Sequence, residues 1–282
     1  MSKFYGNVLL NRLSSHVAEE LASDLERVRL EPLQLLATRS ETLPHIYFPE
    51  TAVIGVLASA AGEDHQQIGL IGREGVINHA YPSVDDRMPW TMQVQVSGSA
   101  WRIDAKKLAS SANRHEELHA MLIRADRVAQ IQLASNGVSA PRRGIEARLA
   151  KWLLMYFDRL NCDELGVTHD ALAFVVDARR PRITEALHVL EGEGMITCKR
   201  GSVVLRNRQD LIKVSGPLYG MAEAEYQRLL GVNFREAESC RMNLSVPEVT
   251  VTGSRNLFIA PGPSTSADPR MSARDDTVSS SF

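Results

Sequence analysis

The sequence predicts an α+β chain made of an N-terminal antiparallel β-roll, a long dimerisation helix and a C-terminal winged helix-turn-helix domain. Three observations predict it. Between about Leu30 and Ile103 short strand-like segments alternate with turn residues. From Lys106 or Arg114 to Ser135 a narrow apolar stripe repeats at helical spacing. From Val167 to Leu205 the residue types fall where a helix, a tight turn, a second helix and a hairpin each need them.

Taken in order, Leu9, Leu10, Leu13, Val17 and Leu21 predict a helical entry over 8–28. The clearest strands are His45-Ile46-Tyr47-Phe48-Pro49, Ala52 to Leu57, Gln67 to Ile71, Met92 to Val96 and Ala100 to Ile103. Turns at Ala61-Gly62-Glu63-Asp64 and Gly72-Arg73-Glu74-Gly75 separate them, and an antiparallel roll or barrel is the natural way to bury such strands. In the long helix, Leu118, Leu122, Ala125, Ala129 and Gln132 recur by four and three, the spacing of a coiled-coil seam, so this stripe is assigned to dimerisation. The alternative is a helix packed on its own roll. Asn136-Gly137 and Ser139-Ala140-Pro141 are expected to interrupt the helix and mark a boundary. A further helix, Ile145 to Leu160, carries Leu149, Trp152, Leu153, Tyr156 and Leu160 as a core face. The implied division is 1–104 for the roll with its entry helix, 105–140 for the long helix and hinge, 141–215 for the winged domain, and 216–282 for a short helix and tail.

In the winged domain Thr168 can cap a helix whose apolar side is Leu172, Ala173, Val175 and Val176, with Asp170 in its first turn. Asp177 marks the turn, since Asp tolerates the left-handed conformation that a tight helix–helix connection demands. The second helix opens at Arg179-Arg180-Pro181, where proline's missing N–H costs nothing, and buries Ile183, Ala186, Leu187 and Leu190. That leaves Arg180, Arg182 and Glu185 exposed at the end of the helix that meets base edges when such a helix enters the major groove. An Arg fork pairs with guanine and a Glu accepts from cytosine, each good pair contributing roughly 1–3 kcal/mol of discrimination. Thr168, His169, Arg179, Lys199 and Arg200 are the expected phosphate contacts, the last two at the tip of a hairpin formed by residues 195–199 and 202–205. Double-stranded DNA is the implied partner.

The formal charge of −2 hides an uneven distribution: residues 142–214 carry 13 Lys and Arg against 10 Asp and Glu, so the basic excess lies with the reading helix. The 44% hydrophobic content is ample for real cores. Cys162, Cys198 and Cys240 are odd in number and scattered, which argues against a disulfide framework or a clustered metal site and for a reduced, cytoplasmic setting. The start of the chain has no leader-like apolar core and no long apolar run occurs, so neither secretion nor membrane insertion is expected.

This order of roll, helix and winged helix resembles the CRP/FNR family of bacterial transcription regulators over roughly residues 8–230. The resemblance rests on His45-Ile46-Tyr47-Phe48-Pro49, on Gly69-Leu70-Ile71-Gly72-Arg73-Glu74-Gly75, on Arg148-Leu149-Ala150-Lys151-Trp152-Leu153 and on Arg179-Arg180-Pro181-Arg182-Ile183-Thr184-Glu185-Ala186-Leu187. It implies a signal-sensing roll, a homodimer, a DNA-binding transcription regulator rather than an enzyme, and RNA polymerase as a further partner. Family members that bind cyclic nucleotide hold its phosphate with a Gly-Glu turn and a downstream Arg-Ser/Thr-Ala cassette. Here only Glu74 and Arg87 remain, as a degenerate effector pocket, because Asp86-Arg87-Met88-Pro89-Trp90-Thr91 lacks the small hydroxyl residue and its backbone donor. No cofactor is predicted and cyclic nucleotide is disfavoured, which leaves the effector unidentified. A roll-domain sensor or scaffold whose winged helix binds protein is the alternative reading.

Two further signals carry less. His115-Glu116-Glu117-Leu118-His119 has the H-E-x-x-H pattern of zinc proteases but no third ligand or downstream protease signature, so solvated helix residues are preferred to zinc hydrolysis or an interface metal site, and no catalytic or metal-binding residue is assigned. Residues 233–282, rich in Ser, Pro, Gly and Arg, read as a flexible tail, within which 249–252 and 257–259 have the composition to pair or dock.

Overall fold

A computed structural model describes residues 6–59, 65–77, 87–139, 144–231, 234 and 248–250. The turn at 61–64, the hinge at 140–143, Asp86, Cys240 and the tail beyond Thr250 lie outside them.

A 3₁₀ turn, Leu10–Arg12, and helix α1, Ser15–Ala22, open the chain, followed by strands β1 (Glu26–Leu30), β2 (Leu35–Ala37), β3 (His45–Pro49), β4 (Val53–Ala58), β5 (Gln66–Ile71), β6 (Thr91–Val96) and β7 (Gly98–Asp104). The five sequence-predicted strands all form. The entry helix is shorter than predicted: after Ala22 the chain switches to the alternating Glu26-Arg27-Val28-Arg29-Leu30, whose exposed charges and buried Leu30 suit the edge strand β1 better than a helix. Asn7, fully buried, fixes this start. Its side chain accepts from the Leu9 and Leu10 amides and donates to the carbonyls of Pro49 and Gly75. Antiparallel β1, β7 and β3 form one sheet, and β5, β4, β6 and β2 form the other. Leu30, Ile46, Phe48 and Ile103 from the first meet Ile54, Val56, Met92 and Val94 from the second in one core.

The long helix is two. Helix α2 (Ala105–Arg114), capped by Asp104 accepting from Lys106 and Lys107 N–H, ends at His115, whose extended backbone at φ −122° starts α3, Glu116–Ser139. The stripe assigned to dimerisation turns inward. Leu118, Leu122 and Ala125 are buried in the roll's own core and Ala129 is half-buried, so these residues cover the chain's own sheet instead of facing a partner. Nor does Asn136-Gly137 end the helix. Strand β5 is an edge whose free backbone groups need partners, and α3 supplies them: Leu70 N–H donates to Gln132 Oε1 at 2.8 Å, and Asn136 Nδ2 donates to the Ile68 carbonyl at 2.8 Å. With its amide engaged on the sheet, Asn136 does not compete for its own helix backbone.

The remaining elements are α4 (Ile145–Leu160), β8 (Glu164–Val167), α5 (His169–Val176), α6 (Arg180–Gly192), the wing strands β9 (Ile196–Lys199) and β10 (Ser202–Leu205), α7 (Arg208–Ser215), α8 (Met221–Leu230) and β11 (Glu248–Val249). Every residue of α4 from Leu149 to Arg159 is buried, because it serves two neighbours at once. One side belongs to the core of the winged helix. The other packs on the outer face of the roll, so that Val53, Leu70 and Val96 join this second core. Gln95 of β6 and Gln67 of β5 are buried at this contact: Tyr156 donates to Gln95 Oε1 at 2.6 Å and accepts from Gln67 Nε2 at 3.3 Å.

At the same junction Arg159, fully buried, places Nε 3.1 Å from Glu74 Oε1 and donates to the carbonyls of Leu70 and Met155. Glu74 also accepts from Gly72 N–H at 3.1 Å. The expected effector pocket is corrected here. Glu74 is engaged by the protein's own arginine, while Arg87 is exposed in an isolated bridge with Thr42. Strand β11 completes the connection, pairing antiparallel with β6 and parallel with β8, so that one ordered sheet path runs from roll to wing. Among the described residues no helix is long and apolar enough to cross a membrane.

Gly72 permits this junction, since a Cβ there would lie 2.8 Å from Arg159 Cβ and 2.9 Å from Glu74 Oε2. Gly72→Ala is therefore expected to cost roughly 1–3 kcal/mol through overpacking, measured by denaturant unfolding. Burial also pushes the Lys151 amine down to about 8, and its Nζ donates to Ser135 Oγ at 3.4 Å. The folded chain thus binds fewer protons than the unfolded one between pH 8 and 10.5, so stability rises with pH across that window. Lys151→Met should remove this rise and stabilise the protein at pH 7 by roughly 1–3 kcal/mol, seen by comparing unfolding at pH 7 and pH 10.

Candidate nucleic-acid interface

Helix α6 is positioned by local chemistry that the sequence states openly. Thr168 Oγ1 accepts from Ala171 N–H at 3.1 Å and caps α5. Asp177 adopts the left-handed conformation (φ 52°, ψ 61°), and the Ala178 amide closes the turn on the Ala173 carbonyl at 2.9 Å. Helix α6 begins at Arg180 with Pro181 in its first turn; the Arg182 and Ile183 amides donate to the Arg179 carbonyl, and the positive end of the helix dipole lies at this exposed turn. Ile183, Ala186, Leu187 and Leu190 are its buried stripe.

The opposite face is exposed: Arg179, Arg180, Arg182 and Glu185 all lie in solvent. Val189, 45% exposed, shares the face of Arg182 and Glu185 at i+7 and i+4. Sequence reading passed over this valine. The available signal was that it falls outside the 183, 186, 187, 190 stripe; an exposed apolar group there suits a thymine methyl.

Several predicted contacts are already partnered. Arg180 Nε lies 3.6 Å from Asp170 Oδ1, and Arg182 Nε lies 3.8 Å from Glu185 Oε2. Both pairs are well exposed and therefore weak, so either arginine can exchange its carboxylate for a stronger acceptor. His169 Nδ1 is 2.9 Å from Thr184 Oγ1, linking α5 to α6. Lys199 is held more firmly, donating to both Glu164 oxygens at 3.1 and 3.2 Å, while Ser202 Oγ donates to Glu164 Oε1 at 2.9 Å. Ser202 and then Lys199 hold the Glu164 carboxyl below its ordinary pKa, so the pair persists at neutral pH. Arg179 and Arg200 have no carboxylate partner among the described residues and carry the unneutralised positive charge of the face.

Between the start of α5 and the wing lies an open cleft of about 300 Å³, lined by Thr168, His169, Asp170, Arg180, Lys199 and Gly201 among others. Gly201, at φ +77°, makes the wing turn that shapes it. Four of the predicted phosphate or base contacts thus converge on one concave surface. Cys198 also lines this cleft, but burial and then Glu191 push its thiol up to about 11, which keeps it protonated and unreactive.

A roll whose outer face carries a helix-turn-helix with a wing is a fold that this chain shares with solved structures. Residues 147–214 match the Crp-like helix-turn-helix domain, and the roll-plus-winged-helix fold is similar to that of solved structures described as CRP or crp/fnr family regulators. FixK2 from Bradyrhizobium japonicum is similar in structure with a TM-score of 0.60 at 14% identity, the match covering 68% of this chain and 98% of that one. A CRP family transcriptional regulator from Thermus thermophilus gives a TM-score of 0.56 at 16% identity, over 68% of this chain and 98% of its own. The c-di-GMP responsive global regulator CLP from Xanthomonas campestris gives 0.55 at 12%, over 68% and 99%. No curated protein matches the chain in sequence.

The left-handed turn sets a direct test. Asp177→Gly should leave stability unchanged or slightly higher, whereas Asp177→Val, whose branched Cβ is strained at this φ, should lose roughly 1–2 kcal/mol in thermal or denaturant unfolding.

Proposed function

We propose that the chain is a homodimeric, sequence-specific DNA-binding transcription regulator. The observation that carries this is the exposed, arginine-bearing first turn of α6 beside a basic cleft, within a Crp-like helix-turn-helix domain. In this reading Arg180, Arg182 and Glu185 contact base edges, with Val189 against a thymine methyl, while Thr168, His169, Arg179 and Arg200 hold phosphates. Lys199 contributes only after DNA displaces it from Glu164, so the wing exchanges an internal ion pair for an external one.

One winged helix offers few contacts, and a second one linked to it raises affinity through effective concentration. The dimer face assigned here is the outward stripe of α3, where Ile123 is 55% exposed and Arg127, Ala134 and Gly137 follow on the same side. A signal entering the roll near Gly72–Gly75 would reach the reading helix through Glu74, Arg159 and α4. This coupling requires two arrangements of that junction with different DNA affinity.

Selection of random duplexes by the purified protein at near-physiological salt should enrich a two-fold symmetric motif with half-sites about one helical turn apart. The Arg180→Ala/Arg182→Ala variant should lose that enrichment. Recovery of the same motif by the variant would move sequence reading away from α6, and capture of a protein partner with no DNA enrichment would favour the scaffold reading. Glu164→Gln should release Lys199 and strengthen binding to all duplexes alike with a steeper salt dependence. Ile123→Glu should yield a folded monomer in sedimentation.

A further inference from the structure

The H-E-x-x-H run does not form the helical pair that its spacing suggests. His115 lies at the break between α2 and α3, in extended backbone, so it and His119 do not share one helical face. Its ring turns instead toward α1. His16 and Glu20, one turn apart on α1, lie on the same face of that helix. His115 Nε2 stands 2.6 Å from Glu20 Oε2, and the two imidazoles meet edge to face with centroids 5.5 Å apart. One ligand atom from each of His16, Glu20 and His115 lies within 4.8 Å of the others.

We propose that His16, Glu20 and His115 form a binding site for a divalent transition metal of the zinc class. Two imidazole nitrogens and a carboxylate are a ligand set that zinc, nickel, cobalt or copper(II) prefers and that magnesium and calcium do not. A tetrahedral ion with bonds of about 2.0–2.1 Å needs its ligand atoms roughly 3.4 Å apart, so small side-chain rotations close the set. The metal takes the place of the proton shared between His115 Nε2 and Glu20 Oε2.

The surroundings suit such a site. Ser111 Oγ donates to Glu20 Oε1 at 3.1 Å and Arg114 pairs with the same oxygen, which orients the carboxylate and leaves Oε2 for the metal. His16 is exposed, His115 is mostly covered, and the solvent side leaves room for water as a fourth ligand. An ion here ties α1 to the break where α3 begins, and so fixes the angle at which the long helix leaves the roll.

The test uses the untagged full chain, stripped by chelator and titrated with zinc against a chromophoric competitor, then with cobalt(II) for its absorption spectrum. One metal per chain is expected, with affinity reduced at least about 10-fold in His16→Ala and in His115→Gln and unchanged in His119→Ala. The metal should raise the Tm of the unsubstituted chain and not that of His16→Ala. His16 is exposed, so its variant keeps the fold if His115→Gln does not. Affinity unchanged in His16→Ala, the absence of stoichiometric binding, or thiolate bands in the cobalt spectrum would overturn the assignment, the last by placing the metal on cysteine.

Discussion

Arg159 crosses from the winged helix into the roll with no exposed surface, and the rest of the arrangement depends on the terms of that crossing. A buried guanidinium without partners is costly, and here it finds a carboxylate at Glu74, two backbone carbonyls, and the ring of Phe234 at 5.4 Å. Each partner comes from a different part of the chain. Glu74 belongs to the β5–β6 turn, Leu70 to the edge strand, Met155 to α4 itself, and Phe234 to the segment after α8. The charge therefore serves less as a source of net stability than as a specification of how the two halves sit, because few alternative placements satisfy it.

Around that point the polar contacts keep the same logic. Tyr156 connects two buried glutamines of the roll to α4, and Gln132 and Asn136 of α3 act as substitute strand partners for β5. Small residues make these approaches geometrically feasible: a Cβ at Gly69 would sit 2.6 Å from Leu133 Cδ2, as one at Gly72 would strike Arg159. The roll, the helix that leaves it and the helix that supports the reader are thus joined by hydrogen bonds with few permitted geometries, which favours discrete positions over gradual deformation.

How much of this could be read from the chain alone depended on whether the determinants were local. Thr168, Asp177, Pro181 and Gly201 act on their own backbone, and the winged helix formed where they placed it. The strands of the roll were equally legible from alternation and turn residues. What failed was the assignment of partners to faces. The stripe of Leu118, Leu122 and Ala125 has seam spacing, yet spacing alone does not distinguish a second copy from the chain's own sheet. Likewise Glu74 looked like part of an effector pocket until Arg159, far along the sequence, met it. The basic face was foreseen residue by residue, but the carboxylates that temper Arg180, Arg182 and Lys199 were not.

Strand β11 is the last described segment to leave the ribosome, and it lies between β6 and β8, both made long before it. During synthesis the roll and the winged helix can each fold, and α4 can dock, while the sheet between them is still unzipped. The seam closes only when Glu248 and Val249 arrive, with the Thr250 amide donating to the Gln95 carbonyl. Until then the outward edge of β8 and the end of β6 beyond the stretch that β2 covers lack this strand partner. Between making the wing and making β11, a nascent chain therefore carries these short edges without the strand that joins them.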